Sequence, residues 1–295
     1  MASIEIAHGD TRATVRPDLG MLVASFSSEG RELLALPHSV DDYARTGSAT
    51  AVPLLFPWAN RLDGLRYSVQ GRTIDLSGAS DLLQFNAGLP IHGALPSLIA
   101  MSVVDQGSDQ LAAALEPTPE DPLTRVFPFP HRLGVRVRVR PSALMVETTL
   151  AATGDQPVPV AFGYHPYLAL PDGDRDDWSV SVSAREHLVL DERLLPTGQT
   201  EPVDMRDVSL RGRTFDDGYA DLGPTGRMAL TGGGHTLSVV LEQGYTHAQV
   251  YAPAGARFVA LEPMTAPANA LVTGTGLRHV QPGDEFVARF TITLT

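Results

Sequence analysis

Val135-Arg136-Val137-Arg138-Val139-Arg140 alternates an apolar side chain with a charged one over the whole stretch. Successive side chains of a β-strand point to opposite faces of a sheet, so this period of two predicts a strand with its valines in a core and its arginines in water. Pro141-Ser142 breaks the pattern before a second strand-like run over residues 143–151. The stretch therefore predicts a β-hairpin.

Short runs of the same kind recur along the rest of the chain, at 178–184, 237–242, 248–251, 257–262 and 285–294. Turn signals separate them, since the sequence contains 27 Gly and 23 Pro, and no long stretch shows a helical stripe. Many short strands between turns favour an all-β sandwich or barrel over a parallel α/β fold. The chain has neither a repeat of fixed period nor a recognisable linker, so we expect one domain over residues 1–295.

Composition excludes several kinds of chemistry. The 22 basic residues are all arginine, and the chain contains no cysteine. Without lysine there is no Schiff base and no phosphate-loop lysine, and without cysteine there is no thiolate nucleophile, disulfide or Cys-ligated zinc. Catalysis would have to use His, Asp, Glu, Tyr, Ser, Thr or Arg, which favours proton transfer or carboxylate chemistry.

Charge and hydropathy restrict the partners and the location. The formal net charge of −12 would repel nucleic acid and anionic membranes over most of the surface. No window approaches the roughly 20 apolar residues of a membrane helix, and the first residues lack the apolar core of a signal peptide. We therefore expect a cytoplasmic protein without nucleic-acid or membrane partners. The histidines show no His-x-x-x-His spacing, so we predict no metal site.

Four segments each contain a residue that can transfer or hold a proton, and in each of them this residue is adjacent to or near Pro, Gly or an aromatic residue. They are Pro57-Trp58-Ala59-Asn60-Arg61, Ile91-His92-Gly93, Gly163-Tyr164-His165-Pro166-Tyr167-Leu168 and Leu261-Glu262-Pro263. Since they are too far apart to form a local motif, they act together only if the fold gathers them into one cleft. In this order they resemble the aldose 1-epimerase (galactose mutarotase) family.

His165 is the candidate catalytic acid. An isolated histidine is more often a buried residue bound to a backbone carbonyl, but the segment is similar to the family's Asn-His-x-Tyr-Phe-Asn-Leu. It departs from that motif at Tyr164 and at Leu168-Ala169. The resemblance implies that His165 protonates the ring oxygen of a sugar, a task that its unperturbed pKa of about 6.5 would suit near neutrality.

Glu262 is the candidate catalytic base. It shares one face of a predicted strand with Phe258 and Ala260, so it is either a solvated strand end or a buried carboxylate aimed into a cleft. Its apolar neighbours favour the second interpretation, and desolvation would raise its pKa above the usual value of about 4.3. The resemblance implies that Glu262 takes the proton of the anomeric hydroxyl.

Asn60-Arg61 matches the family's Asn-Arg-Ile, although an arginine here would also fit a salt-bridged strand end. The resemblance implies that Arg61, with Asn60 beside it, binds sugar hydroxyls, and a guanidinium donates hydrogen bonds without titrating. Trp58 would supply an apolar platform for the C–H face of the sugar, or would be ordinary core.

His92 matches the family's Leu-His-Gly, in which the histidine lies beside the sugar, and Gly93 permits an unusual turn. Asp216 resembles the aspartate of the family's Asp-His-x-Phe, which binds sugar hydroxyls. Asp217 stands where that motif has histidine, so the sequence does not separate the two aspartates. We prefer Asp216.

The resemblance implies a large twisted antiparallel β-sandwich and a cofactor-free enzyme that interconverts the α and β anomers of a free aldose. Its partner would be a small sugar, and the enzyme would be a monomer or a homodimer. Two alternatives remain at this point. One is a hexose-6-phosphate 1-epimerase, which would need extra cations such as Arg66, Arg72 or Arg125 at the cleft. The other is a non-catalytic carbohydrate-binding β-domain.

Overall fold

The computed structural model describes residues 3–295, most of which lie in short strands. In chain order, the strands of the first half are β1 (Ile4–His8), β2 (Thr11–Arg16), β3 (Leu22–Ser28), β4 (Arg31–Glu32), β5 (Leu54–Leu55), β6 (Arg66–Val69), β7 (Arg72–Asp75), β8 (Leu83–Asn86), β9 (Leu89–Ala94), β10 (Ser102–Gln106), β11 (Gln110–Leu115), β12 (His131–Arg140) and β13 (Ala143–Ala152). They are followed by β14 (Val158–Val160), β15 (Gly163–Tyr164), β16 (Tyr167–Leu168), β17 (Ser179–Val182), β18 (Glu186–Leu190), β19 (Pro196–Pro202), β20 (Met205–Ser209), β21 (Phe215–Ala220), β22 (Gly226–Gly232), β23 (His235–Gln243), β24 (His247–Ala252), β25 (Val259–Met264), β26 (Arg278–Val280) and β27 (Glu285–Leu294).

The α-helices are short, namely α1 (Val40–Thr46), α2 (Leu123–Val126) and α3 (Ala270–Thr273). Short 3₁₀ segments occur at Pro17–Leu19, Pro96–Ile99 and Arg175–Asp177, and a longer one at Ser77–Leu82 is kinked at Ala79. α1 begins where the Ser39 side chain accepts a hydrogen bond from the Asp42 amide, and it ends at Gly47 with a φ of 76°. No helix within residues 3–295 is long and apolar enough to cross a membrane.

The predicted hairpin is confirmed. β12 and β13 pair antiparallel around Pro141-Ser142, with Arg140 opposite Ala143. The three valines of the opening stretch are buried and its arginines point away from the core, as the period of two requires. The other predicted runs overlap β17, β23, β24, β25 and β27, so strand positions follow closely from local alternation.

Two large antiparallel sheets form a sandwich. The first has the order β10-β11-β12-β13-β27-β23-β22-β17-β20, and the second has the order β19-β18-β21-β24-β25-β15-β5, with β16 added to β25. Their inner faces meet where the Tyr164 hydroxyl of β15 lies 2.7 Å from Thr148 Oγ1 of β13. The Tyr164 ring also packs 5.1 Å from the Phe290 ring of β27. The all-β antiparallel sandwich is therefore as predicted.

A separate hairpin completes the frame of the site. β8 and β9 pair only with each other, and they join neither large sheet. Isolated bridges from Phe56 to Gly93 and from Arg61 to Ile91 fasten this hairpin to the segment that follows β5. Glu262 lies in β25, between β24 and β15 of the second sheet. The site therefore forms between a sheet interior and a hairpin.

Candidate active site

A cavity of about 360 Å³ brings together six of the seven residues predicted from the sequence. These six are Asn60, Arg61, His92, His165, Asp216 and Glu262. The remaining lining residues are His38, Ser48, Ala49, Gln84, Phe85, Asn86, Ile91, Tyr167 and Tyr251. Segments more than two hundred residues apart thus meet in one cleft, as the four-segment pattern required.

His165 and Glu262 contact each other in the depth of this cavity. His165 Nε2 lies 3.1 Å from Glu262 Oε1, and both side chains are almost completely buried. The His165 amide donates to Pro53 O at 3.2 Å, which fixes the backbone just after β15. The Tyr167 ring stacks on the imidazole with centroids 4.3 Å apart and 24° between the planes. The imidazole is therefore held in one orientation against the carboxyl group.

Burial shifts the two pKa values in opposite directions. It raises the pKa of Glu262 well above its usual value, and the nearby Asp216 carboxylate raises it further while Arg61 opposes the shift. Burial lowers the pKa of His165 to about 3. The pKa of Glu262 moves in the direction expected for a buried carboxyl group, whereas the pKa of His165 lies far below the unperturbed value of about 6.5. Since desolvation disfavours both charged forms, the pair favours a neutral state that holds a single proton.

Arg61 is the centre of a polar wall in the cavity that also holds His165 and Glu262. Its Nη1 donates to Asn60 Oδ1 and its Nη2 donates to Asn86 Oδ1, both at 3.2 Å. Nη2 also lies 3.5 Å from Asp216 Oδ2, and Gln249 donates to Asp216 Oδ1 at 2.8 Å. Because every member already has a partner, the wall is organised before any ligand arrives.

His92 is presented to the cavity by an unusual backbone. Its φ is 61°, and Gly93 follows with a φ of 79°. A Cβ on Gly93 would lie 2.2 Å from Phe56 O, so only glycine allows the hairpin to come this close. Burial and the positive charge of Arg61 lower the pKa of His92, which keeps it neutral. The Asn60 amide donates to His92 Nδ1 at 3.3 Å, and the ring proton must therefore be on Nε2.

The structure separates Asp216 from Asp217. Both lie in β21, where neighbouring side chains point to opposite faces. Asp216 lines the cavity, and Asp217 Oδ1 instead lies 3.0 Å from His187 Nε2. The preferred aspartate is therefore the one that lines the cavity with His165 and Glu262.

The prediction that Trp58 forms a sugar platform is wrong. Its side chain is 1% exposed and packs in the main core, with its ring 6.4 Å from that of Tyr67. Asn60 and Arg61 of the same segment line the cavity, whereas the Trp58 indole packs into the core. Phe85, Tyr167 and Tyr251 are the aromatic residues that line the cavity, together with three histidines.

Several residues that line the cavity were not predicted from the sequence. Gln249 and Tyr251 are two residues apart in β24 and so share one face of the strand, and both reach the site. His247 on the same face lines a different cavity, of about 290 Å³, beside α3. Asn86 and Phe85 carried no sequence signal, because they contribute through a hairpin whose position depends on tertiary contacts.

The cations that a phosphorylated substrate would need lie elsewhere. Arg66 pairs with Asp75, Arg72 donates to Pro128 O, and Arg125 donates to Gly78 O. Arg61 is the only arginine that lines the cavity in the part of the chain that the structure describes. Residues 3–295 also contain no group of three or more His, Asp or Glu side chains placed to hold a metal ion.

Comparisons with known proteins agree with this architecture. The family model for aldose 1-epimerase matches residues 2–293. The uncharacterised protein YihR of Escherichia coli (strain K12) is 26% identical over 303 aligned residues, which cover 95% of this chain and 89% of that protein.

Solved structures show the same fold at low identity. A galactose mutarotase-like protein from Clostridium acetobutylicum superposes with a TM-score of 0.84 at 16% identity, over 99% of this chain and 95% of that one. An aldose epimerase homologue from C. elegans gives a TM-score of 0.79 at 18% identity, over 100% and 98% of the two chains. The fold is therefore galactose mutarotase-like, and because the family model spans nearly the whole sequence, the chain belongs to the aldose 1-epimerase family.

Proposed function

We propose that this protein is a cofactor-free, cytoplasmic aldose 1-epimerase that interconverts the α and β anomers of an uncharged free aldose. The observation that carries the proposal is the buried contact of 3.1 Å between His165 and Glu262 inside a cavity lined by hydroxyl-binding side chains. The anomeric hydroxyl and the ring oxygen are both bonded to C1 of a pyranose. An acid and a base in direct contact can therefore reach both oxygens of one sugar.

Ring opening needs one proton and one vacant basic site, and the pair in its single-proton state supplies both. In the catalytic form the proton is on His165 Nε2, reached by transfer from Glu262 across their hydrogen bond. Glu262 then takes the proton of the anomeric hydroxyl while His165 protonates the ring oxygen, and the C1–O5 bond breaks to give the open-chain aldehyde. Rotation about C1–C2 and the reverse transfers close the other anomer, so the pair returns to its starting state.

The polar wall holds the rest of the sugar. Arg61, Asn86 and the Nε2–H of His92 offer donors, and Asp216 offers a carboxylate acceptor. These groups are held in place by each other before a sugar binds. Sugar hydroxyls would replace the water molecules that hydrogen-bond to them, and the sugar would then lie with its C1 at the catalytic pair. Holding the reacting groups in the right geometry accelerates a reaction relative to one between freely diffusing partners.

Two alternatives fit the site less well. A hexose 6-phosphate would place two negative charges near a single guanidinium that already faces Asp216. A non-catalytic sugar-binding domain would have no need of a buried carboxyl group in contact with a buried imidazole, and burying such groups opposes folding. An uncharged sugar and a chemical step are therefore favoured.

The test is NMR exchange spectroscopy of anomer interconversion, with a panel of free hexoses, free pentoses and hexose 6-phosphates. We expect acceleration with free sugars, and we expect Glu262→Gln and His165→Asn each to reduce kcat by about 10²- to 10⁴-fold, the range for loss of a general acid or base. Asp217→Asn, which lies on the opposite face of β21, is the matched control and should retain activity. Acceleration confined to phosphorylated sugars, or sugar binding without exchange, would replace this proposal with one of the two alternatives.

A further inference from the structure

Phe85 is an apolar side chain in an unusual place. It lies in β8, lines the catalytic cavity, and leaves 41% of its surface exposed. Single exposed apolar residues are common on protein surfaces and need no explanation by themselves. Phe85 differs because its exposed surface faces a cavity that otherwise presents mainly polar groups, beside the catalytic pair.

Among residues 3–295, the Phe85 ring is not part of the buried core. It belongs to none of the hydrophobic clusters, and no other aromatic ring among these residues lies against it. Its neighbour Asn86 accepts a hydrogen bond from Arg61, so the strand that carries the ring is tied directly to the hydroxyl-binding wall. The ring is therefore held at a defined place next to the polar groups, with apolar surface left for a ligand.

We propose that Phe85 is the apolar platform of the substrate site, on which the C–H face of a pyranose ring packs. The inference rests on the proposed function for the identity of the ligand, and it deepens that function by assigning a determinant of substrate choice. A pyranose has a hydroxyl-bearing rim and apolar C–H patches on its faces. The rim fits Arg61, Asn86 and His92, and an aromatic face at the cavity wall fits the patch.

The chemistry of stacking sets a preference among sugars. An axial hydroxyl on the stacked face would be pressed against the aromatic ring and would lose its hydrogen bond to water. Sugars whose stacked face carries only C–H bonds should therefore bind better than epimers with an axial hydroxyl there. Because Phe85 touches no atom that gains or loses a proton, it should act on affinity and specificity rather than on the chemical step.

Phe85→Ala tests the platform. We expect KM for the preferred hexose to rise about tenfold, the size of effect seen when a small apolar contact is removed from a pocket, with kcat changed by less than about twofold. Phe85→Tyr and Phe85→Trp should retain low KM values because they restore an aromatic face. Val104→Ala removes part of another exposed apolar side chain, 58% exposed, outside the cavity, and should leave KM unchanged.

Binding without turnover separates this inference from the proposed function. Dissociation constants for the sugar panel are measured by NMR titration of Glu262→Gln and of Glu262→Gln/Phe85→Ala. A roughly tenfold weaker binding in the double variant, with smaller differences between epimers, supports the platform even if the wild-type protein accelerates no anomer exchange. Equal dissociation constants for the two proteins, or a loss of kcat at unchanged KM in Phe85→Ala, would overturn it.

Discussion

Burial acts on Glu262 and His165 in opposite senses, and this sets the proton count of the site. One pKa is raised and the other is lowered, so the state with a single proton on the pair is populated over a broad pH interval. Below that interval both groups are protonated and no base remains. Above it both groups are deprotonated and no acid remains. The two pH values at which activity falls therefore belong to the coupled pair and not to either residue alone.

The pH dependence of kcat should therefore show a broad plateau between an acid limb and an alkaline limb. We expect an acid limb only as the pH approaches the His165 pKa of about 3, and an alkaline limb well above the usual pKa of a glutamate. Since the Asp216 carboxylate raises the pKa of Glu262, Asp216→Asn should move the alkaline limb to lower pH. Asp217→Asn should leave the limb in place.

Steady-state kcat at saturating sugar, with circular dichroism at each pH to exclude unfolding, measures this profile. The pH dependence separates an electrostatic effect of Asp216 from a loss of sugar binding, which would change KM at every pH. An alkaline limb that stays in place in Asp216→Asn would contradict the electrostatic coupling.

Glu262→Gln should stabilise the fold while it removes activity. An unfolded glutamate titrates near pH 4.3, whereas the folded pKa is raised. Between these two values the folded protein binds more protons than the unfolded protein, so the wild type loses stability as the pH rises, by up to about 1.4 kcal/mol per pH unit. Glutamine does not titrate and escapes this loss.

Thermal unfolding of the wild type and Glu262→Gln, followed from about pH 4 to about pH 8, checks this linkage. The melting temperature of the variant should equal that of the wild type near pH 4 and exceed it progressively at higher pH. A difference that does not change with pH would show that the pKa of Glu262 is not raised in the folded protein.

At the scale of single elements, the β8–β9 hairpin belongs to neither large sheet but supplies several residues that line the cavity. It carries Phe85, Asn86 and His92, and it reaches the rest of the molecule through the close approach of Gly93 to Phe56. The geometry of the site therefore depends on this contact as much as on the central strands.

Two glycines in this hairpin form a matched pair for mutation. Gly88 and Gly93 have similar φ values of 82° and 79°, but a Cβ would meet nothing within 4 Å at Gly88 and would lie 2.2 Å from Phe56 O at Gly93. Gly88→Ala should cost only the backbone strain, about 1–2 kcal/mol of unfolding free energy, and should retain kcat/KM. Gly93→Ala should cost more and should reduce kcat/KM by at least about tenfold, because His92 shifts with it.

Urea unfolding and anomer-exchange kinetics on both variants provide the comparison. If the two substitutions had the same effect on kcat/KM, the approach of Gly93 to Phe56 would not be what positions His92.

At the scale of the whole molecule, the two sheets are joined by a buried polar contact at Tyr164, the residue before His165. Tyr164 stands where the family motif has asparagine, and its hydroxyl lies 2.7 Å from Thr148 Oγ1 across the core. β15 consists of Gly163 and Tyr164, and His165 follows it directly. The departure from the family motif thus has a structural role, since it ties the strand that delivers His165 to the opposite sheet.

Thr148→Val should destabilise the protein by about 1–3 kcal/mol, because it leaves the buried Tyr164 hydroxyl without this partner. The double variant Thr148→Val/Tyr164→Phe removes both polar groups and should recover part of that loss. Chemical denaturation of the single and double variants gives the coupling free energy. Additive losses in the double variant would mean that the two hydroxyls do not stabilise each other.

The sequence by itself determined the class of fold and predicted six of the residues that line the cavity. A period of two is a local property, so the Val135–Arg140 stretch and the other runs located strands without any knowledge of their partners. The absence of lysine and cysteine restricted the available chemistry, and Arg61, His92, His165 and Glu262 were recognisable from their immediate neighbours.

Only the tertiary structure decided how these residues work. Asp216 and Asp217 are adjacent in sequence, and the choice between them depends on which face of β21 meets the cavity. Trp58 belongs to the core and Phe85 to the cavity because of packing between distant segments. The pKa values of Glu262 and His165 depend on desolvation, which is created by the surrounding fold and cannot be read from the neighbours of either residue.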